Sequence, residues 1–446
     1  MHIENTDIEG LMVLHLDVHA DNRGWFRESW QRETMTALGL PDFRPVQSNV
    51  AFNAKAGTTR GLHAEPWDKL VTVGTGRVQG GWCDLREGSP THGRTVSVEI
   101  ARDVAVFVPR GVANGYQSLE DATTYLYLVN DHWSPDAAYV NVSLGLIDWP
   151  LEPTEVSEKD RTHPLLLDAP SVPPRRILVT GAEGQVGRAL RKVLPEAEFV
   201  DRDEFDITDP PERPWRQYSA IINAAAYTAV DAAEEDRAPA WAVNAQGPAK
   251  LARIAAENNL TLVQLSTDYV FDGTAGRPYT EDDPVGPLSV YGASKAAGEA
   301  AAATAPRHYI VRTSWVVGDG KNFVDTMRDL AERDIQPQVV HDQKGRPTFS
   351  GDLARGIVHL LRTRPEYGIY HLTGGGDEVG FDELAMAVYT GLHRDPDMVH
   401  PVSSEQYFAG KAHAPRPSRS TLSTDKIEAT GFVPQNWRVG LALYVL

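Results

Sequence analysis

Arg176-Ile177-Leu178-Val179-Thr180-Gly181-Ala182-Glu183-Gly184-Gln185-Val186-Gly187 decides the fold of the larger part of this chain. Ile177–Thr180 reads as an apolar strand. Three glycines, Gly181, Gly184 and Gly187, follow, and a helical pattern starts at Gly187 and runs to Leu194. A strand that runs into a glycine-rich turn and then a helix lets backbone approach a pyrophosphate closely. The spacing is GxxGxxG rather than GxGxxG, so the turn takes its meaning from its context. Further along, 220–224, 262–266 and 308–312 read as strands, and 249–258 as a helix with Pro248 at its start, where proline is tolerated. This βαβ alternation predicts a Rossmann-type doubly wound parallel sheet.

Within that pattern stands Ser266-Thr267-Asp268-Tyr269-Val270-Phe271, and after it Tyr291-Gly292-Ala293-Ser294-Lys295. The first places a hydroxyl at a buried strand end. The second places a Tyr and a Lys on one helix face, since i and i+4 share a face. A lysine so placed favours the charged form of the phenol and is expected to lower its pKa. Such a phenol passes a proton to or from a carbonyl oxygen, and the glycine turn supplies the site for a hydride carrier. The second strand is expected to end at Phe199-Val200-Asp201-Arg202. An acid there binds an adenine ribose, whereas an arginine accepts a 2′-phosphate. Asp201 and Arg202 give both signals. Arg188 adds positive charge, so the reading leans to NADPH, with NADH left open.

Upstream the texture differs. Leu70–Val73, Thr95–Ile100, Val104–Val108 and Thr124–Val129 are short β-rich runs between turn residues, as in a sandwich or barrel. Asp168-Ala169-Pro170-Ser171-Val172-Pro173-Pro174 reads as a linker. The expected organisation is therefore residues 1–168, a linker at 169–174, and residues 175–446. The 446 residues carry a net charge of −18, which argues against a nucleic-acid partner. No apolar run reaches the roughly 20 residues of a membrane helix. The N-terminus lacks the order of a signal peptide. One cysteine, Cys83, excludes an intrachain disulfide and fits a cytoplasmic location.

From Arg176 onward the chain resembles dTDP-4-dehydrorhamnose reductase, an extended short-chain dehydrogenase/reductase. The matching stretches are Ile222–Asp231, Ser266–Gly273, Tyr291–Lys295, Arg312–Trp315, Asn322–Val324 and Asp342–Thr348. The resemblance implies a small substrate-binding subdomain beside the sheet and Thr267, Tyr291 and Lys295 as the catalytic set. Tyr291 would protonate the sugar C4 oxygen as hydride arrives. Lys295 would lower the Tyr291 pKa and hold the nicotinamide ribose, and Thr267 would hydrogen-bond the same oxygen. Cofactor contacts are implied at Gly181, Gly184, Gln185, Val186, Gly187, Arg202, Asp206, Ile207, Ala224, Ala225, Ala226 and Tyr227, with Tyr291 and Lys295. Sugar-nucleotide contacts are implied at Val230, Asp231, Trp315, Asn322, Phe323 and Arg346. Arg416–Ser420 looks family-like and would reach the diphosphate.

Arg60-Gly61-Leu62-His63, with Asp21–Glu28 before it and Gly88–Gly93 after it, resembles dTDP-4-dehydrorhamnose 3,5-epimerase, a cupin-like all-β jelly roll that uses no metal. No paired-His pattern surrounds His63, and there is no cysteine cluster. By resemblance His63 is the base that removes a C–H proton beside a ketone, and Asp160 orients it. Lys69 would stabilise the enolate, and Tyr127 would return the proton. Arg23, Phe26, Glu28, Gln47, Asn49 and Arg60 would contact nucleotide or sugar. The chain departs from the family at Asn114, where histidine is usual, at Gly80, where an aspartate is usual, and at Trp133, where a second tyrosine is common. The segment from His63 to Lys69 is shorter than usual. A homodimer through the N-terminal domain is expected, because such jelly rolls exchange strands.

The favoured reading is a bifunctional enzyme. One half epimerises dTDP-4-dehydro-6-deoxy-D-glucose at C3 and C5, and the other reduces the C4 ketone to dTDP-L-rhamnose. Two alternatives stay open: a reductase whose β domain only binds nucleotide sugar or dimerises, and a non-catalytic dinucleotide-binding subunit.

Overall fold

The computed structural model describes residues 1–133, 137 and 139–445. They form two units, Met1–Pro174 and Arg175–Leu446.

In the first unit, runs such as Thr95–Ile100 alternate outward and inward residues, so each strand offers one face to a core. One six-stranded sheet orders His2–Asn5, Met12–His15, Val104–Val108, Lys69–Thr75, Thr123–Val129 and Gln47–Asn53. A second, five-stranded sheet orders Val140–Asn141, Thr59–Ala64, Val112–Ser118, Val78–Asp84 and Thr95–Ile100. Pairing within both is antiparallel. Val71, Val106 and Tyr125 from the first pack against Val78, Trp82 and Tyr116 from the second, which makes the two-layer core of a jelly roll. The proline-rich stretch read as a linker is held to this unit. Val172 is buried, its N–H donates to Leu85 O, and its carbonyl accepts from Glu87 N–H.

The second unit has a six-stranded parallel sheet in the order Glu198–Val200, Arg176–Thr180, Tyr218–Asn223, Thr261–Thr267, His308–Thr313 and Gly368–His371. The chain order reverses between the Arg176–Thr180 and Tyr218–Asn223 strands, which opens a crevice at their carboxyl ends. Both faces are covered, one by Gln185–Val193 and Ser350–Thr363, the other by Gly247–Glu257. A smaller cluster forms around Phe323–Glu332, Phe381–Gly391 and Trp437–Val445, the subdomain expected beside the sheet.

A buried ion pair locks helix Val290–Ala302 to the sheet. Arg312 Nε and Nη2 donate to the two carboxylate oxygens of Glu299 at 2.9 and 2.7 Å, and Ser266 Oγ donates to the same carboxylate at 2.5 Å. Arg312 also lies over the Phe271 ring at 4.9 Å. Burial, helped by this guanidinium, holds the neighbouring His371 down at about 3. Removing one partner of such a pair strands a charge in the interior. Arg312→Met is therefore expected to lower the unfolding free energy of the second unit by about 3–5 kcal/mol, read from the denaturant midpoint. An unchanged midpoint would show the pair to be a bystander.

Candidate active sites

The crevice at the switch point is a cleft of about 720 Å³. Gly181 has φ +70°, and a Cβ there would sit 2.7 Å from Ala225 N, so only glycine lets this turn approach the neighbouring strand end. Gly184, Gln185 and Val186 continue the wall. Gly187 does not face the cleft; a Cβ on it would meet Gly181 O at 2.3 Å, so its part is to let the helix close under the turn. Arg202, Asp206, Ile207, Ala224, Ala225, Ala226 and Tyr227 line the same cleft, with Tyr291 and Lys295. Asp201 accepts a hydrogen bond from Glu183 N–H at 3.1 Å. Arg202 is largely exposed and only 3.6 Å from Asp206, a loose pairing that leaves its guanidinium available to an anion. The volume, the glycine cradle and the Tyr/Lys pair fit a dinucleotide.

Helix Val290–Ala302 begins where Ser289 Oγ accepts from Gly292 N–H at 3.1 Å. This start turns Tyr291 and Lys295 toward the end of strand Thr261–Thr267. The Tyr291 phenol faces Thr267, whose Oγ1 donates to Asp268 at 3.1 Å. The electrostatics correct the acidity expected from sequence. Burial pushes the Tyr291 phenol up to about 12, partly offset by the nearby Thr267 hydroxyl. Lys295 does not hold it down: its Nζ donates to Leu265 O at 2.6 Å, and burial brings it to about 8. The phenol is thus held protonated, the form from which a ketone oxygen takes a proton.

A second cleft of about 470 Å³ shares Tyr291, Ser266 and Thr313 with the first. Val230, Trp315 and Phe323 line it, and Trp315 stacks on Phe381 at 3.7 Å. Three other expected sugar contacts lie off its walls. Asn322 caps helix Phe323–Glu332 by accepting from Asp325 N–H, and its amide donates to Gly318 O. The Asp231 carboxylate accepts from Arg416 and from Ala414 N–H, both at 2.9 Å. Arg346 reaches Leu422 O at 3.4 Å and is half-buried. The Arg416 expected at a diphosphate is thus tied to Asp231.

In the first unit, Ser157 caps the short helix Glu158–Arg161 and turns Asp160 inward. Asp160 Oδ1 is 3.0 Å from His63 Nε2, and Oδ2 accepts from Gly61 N–H at 3.2 Å. Burial holds His63 below its ordinary value against the pull of Asp160, which keeps the imidazole neutral. Lys69 is buried, ion-paired with Glu65, and sits 4.9 Å over the Tyr127 ring. Burial brings it down to about 7, while the adjacent carboxylate favours its charged form. Burial also raises the Tyr127 phenol.

Asn114 stands opposite both His63 and Trp82 in the sheet. The fully buried Trp82 ring covers Gly80: a Cβ at residue 80 would lie 2.3 Å from it. Trp133 is exposed and its N–H donates to Gln47. Arg60 bonds Asn53 at 3.1 Å, and Gln47 bonds Asn49 at 2.8 Å. Arg23, Phe26 and Glu28 are exposed, Arg23 and Phe26 on the hairpin His19–Phe26, where Arg23 pairs with Asp21.

Four residues at these sites escaped the sequence reading. Glu299 continues the face of Tyr291 and Lys295 at i+8, a spacing that was available. Asp268, which burial pushes up to about 6, and Trp82 carried no signal of their own. His163, three residues after Asp160, comes within 3.7 Å of its carboxylate.

Residues 175–446 match the family model described as the RmlD substrate binding domain, and residues 5–168 match that of dTDP-4-dehydrorhamnose 3,5-epimerase. The chain is 41% identical over 281 residues to a dTDP-4-dehydrorhamnose reductase of Mycolicibacterium smegmatis, covering 60% of this chain and 84% of that protein. It is 45% identical over 184 residues to an RmlC homolog of Streptococcus pyogenes, covering 39% of this chain and 92% of that protein. A crystal structure of dTDP-4-dehydrorhamnose reductase from Bacillus anthracis in complex with NADP aligns with a TM-score of 0.55 at 34% identity, covering 61% of this chain and 98% of that one.

The two acidities separate in pH. Lys295 loses its proton near pH 8, whereas Tyr291 keeps its own until about 12. If the ammonium steadies the phenolate left by proton transfer, ketone reduction falls as pH rises through about 8. The kcat–pH profile of Lys295→Met should be slow throughout and lack that limb. A limb that survives in the variant contradicts the assignment.

Proposed function

We propose, for a chain that belongs to the RmlD substrate binding domain family through residues 175–446 and to the dTDP-4-dehydrorhamnose 3,5-epimerase family through residues 5–168, that one polypeptide performs two consecutive steps on a nucleotide sugar. The first epimerises a dTDP-4-keto-6-deoxy sugar at the carbons flanking its ketone. The second reduces that ketone to give dTDP-L-rhamnose. The observation that carries the reading is the shared wall of the two clefts, because the Tyr291 phenol borders both a dinucleotide-sized space and a smaller, aromatic-lined one.

In the first step His63, neutral and oriented by Asp160, takes the C–H proton next to the ketone. Lys69 stabilises the oxygen of the resulting enolate. Tyr127, held protonated by burial, returns a proton to the opposite face. In the second step bound NADPH supplies the hydride. Thr267 and Tyr291 hydrogen-bond the ketone oxygen, Tyr291 gives it a proton, and Lys295 lies close enough to steady the phenolate. Arg202 favours a 2′-phosphate. A specific observation supports a narrower second reading, a reductase whose β domain only binds nucleotide sugar or dimerises: the Trp82 ring stands over Gly80, beside Asn114, at two positions where the chain departs from the epimerase family.

A second copy of the chain is the natural cover for the first unit's edge. Val50 and Phe52 on strand Gln47–Asn53 are 65% and 61% exposed, and Phe26 on the hairpin is 67% exposed. An apolar edge strand of this kind invites pairing. A dimer would also give Arg23, Phe26 and Glu28 a site to reach. Chemistry on a nucleotide sugar, with Cys83 buried as the sole thiol, supports a cytoplasmic location, which cell fractionation checks.

Incubation of the 4-keto-6-deoxy sugar nucleotide in deuterated water without dinucleotide should label C3 and C5, and adding NADPH should yield the reduced sugar by NMR. His63→Ala should abolish labelling yet still reduce pre-epimerised ketone. Tyr291→Phe should label normally and lose about 10²–10⁴-fold in reduction. Arg202→Ala should raise the KM for NADPH but not for NADH. Reduction without any labelling by the wild type would make the first unit a binding module. Phe52→Lys should convert a dimer to a monomer by light scattering; a wild-type chain that is already monomeric sinks the dimer.

A further inference from the structure

Asp160 serves two histidines. The short helix that turns it toward His63 ends at Arg161, and the chain then brings His163 back to the same carboxylate. His163 Nε2 lies 3.7 Å from Asp160 Oδ1, against 3.0 Å for His63 Nε2, and the two imidazoles meet edge to face with centroids 5.3 Å apart. One ligand atom from each of the three side chains falls within 4.8 Å of the others.

His163 is the odd member. Its side chain is only 4% exposed, and both ring nitrogens are buried without a hydrogen-bond partner. An imidazole has one donor and one acceptor, or two donors when protonated, and a buried one normally pairs them. Here a nitrogen points at the group that already holds His63. A proton on Nε2 of His63 serves one of these contacts; a cation in the middle serves all three.

We propose that His63, Asp160 and His163 bind one divalent transition-metal ion of the zinc class, and that its occupancy switches off proton abstraction at His63. Two nitrogens and one oxygen suit zinc-class ions, whereas magnesium and calcium prefer oxygen shells. Metal–ligand bonds of about 2.0–2.2 Å in a tetrahedral site place ligand atoms roughly 3.4 Å apart. The observed separations of 3.0 and 3.7 Å bracket that value. The inhibitory sign follows from the tautomer. His63 turns Nε2 toward Asp160, so Nδ1 is the nitrogen left for substrate. With the Nε2 lone pair on a metal, the ring proton resides on Nδ1, and that nitrogen no longer accepts one. This consequence rests on the reading of His63 as the epimerase base; the binding itself does not.

The test uses the full chain, stripped with a chelator. Cobalt(II) is titrated and followed by its visible d–d absorption, then displaced with zinc. One equivalent should show the band of a low-symmetry, four- or five-coordinate ion. His163→Ala and His163→Asn should each lose that equivalent and weaken zinc binding about tenfold or more, while circular dichroism and melting show that they fold. Zinc should suppress deuterium labelling in the wild type far more than in the variants, each relative to its own metal-free rate. It should leave reduction of pre-epimerised ketone untouched, and magnesium should do nothing. Equal cobalt and zinc binding by the His163 variants overturns the site, as does the absence of the band in the wild type. A band lost in the variants, with labelling indifferent to zinc, keeps the site and removes its control of His63.

Discussion

The register of one helix against one strand is what the reductase half depends on, and the buried carboxylate of Glu299 sets it. Tyr291, Lys295 and Glu299 follow one another at i, i+4 and i+8, so they share a face. Each meets the same strand end. Tyr291 meets Thr267, Lys295 meets Leu265 O, and Glu299 meets Ser266. Arg312, from the adjacent strand, grips Glu299 through two parallel hydrogen bonds. Sliding the helix by one residue would leave both charges in the interior without partners, a far larger cost than any loss of packing. The position of the reacting phenol is thus fixed by ions that take no part in the reaction.

Loss of water acts on both sites in the same sense and suits each to its task. It disfavours whichever form of a group is charged. At the second unit's cleft the affected group is an acid, and the phenol is kept loaded with its proton. In the jelly roll the affected group is a base, and the imidazole is kept free of one. Lys69 is the counterweight. Its own burial carries it toward neutrality, but Glu65 stands beside it and the Tyr127 ring face beneath it, and both favour the cation.

Much of the parallel-sheet half was legible. Thr261–Thr267 and His308–Thr313 appear within a residue of where the apolar runs put them, because uninterrupted apolar strands between glycine turns leave few alternatives. The glycine turn announced its cleft for the same reason. The acidity of Tyr291 was misread, since spacing reveals a lysine neighbour but not how much water the fold removes. The tether was half-read: prolines at 173 and 174 signal a break, but the tie of Val172 to Leu85 depends on a partner far away in sequence. Asn322 and Asp231 show the limit of transferring residues one by one. Both lie in stretches that resemble the family, yet their side chains are already engaged, one as a helix cap and one with Arg416. His163 lay three residues from a carboxylate already singled out and went unnoticed, because a histidine gains interest only from what folds against it.

The contact between Trp82 and Gly80 couples what the two positions can hold. With the indole in place, no side chain larger than hydrogen fits at position 80, so an aspartate there is inaccessible by a single replacement. The tryptophan has to shrink first, which opens a void in the jelly-roll interior before anything is gained. An acid at residue 80 therefore calls for two coordinated changes, and neither of them alone leaves a filled interior.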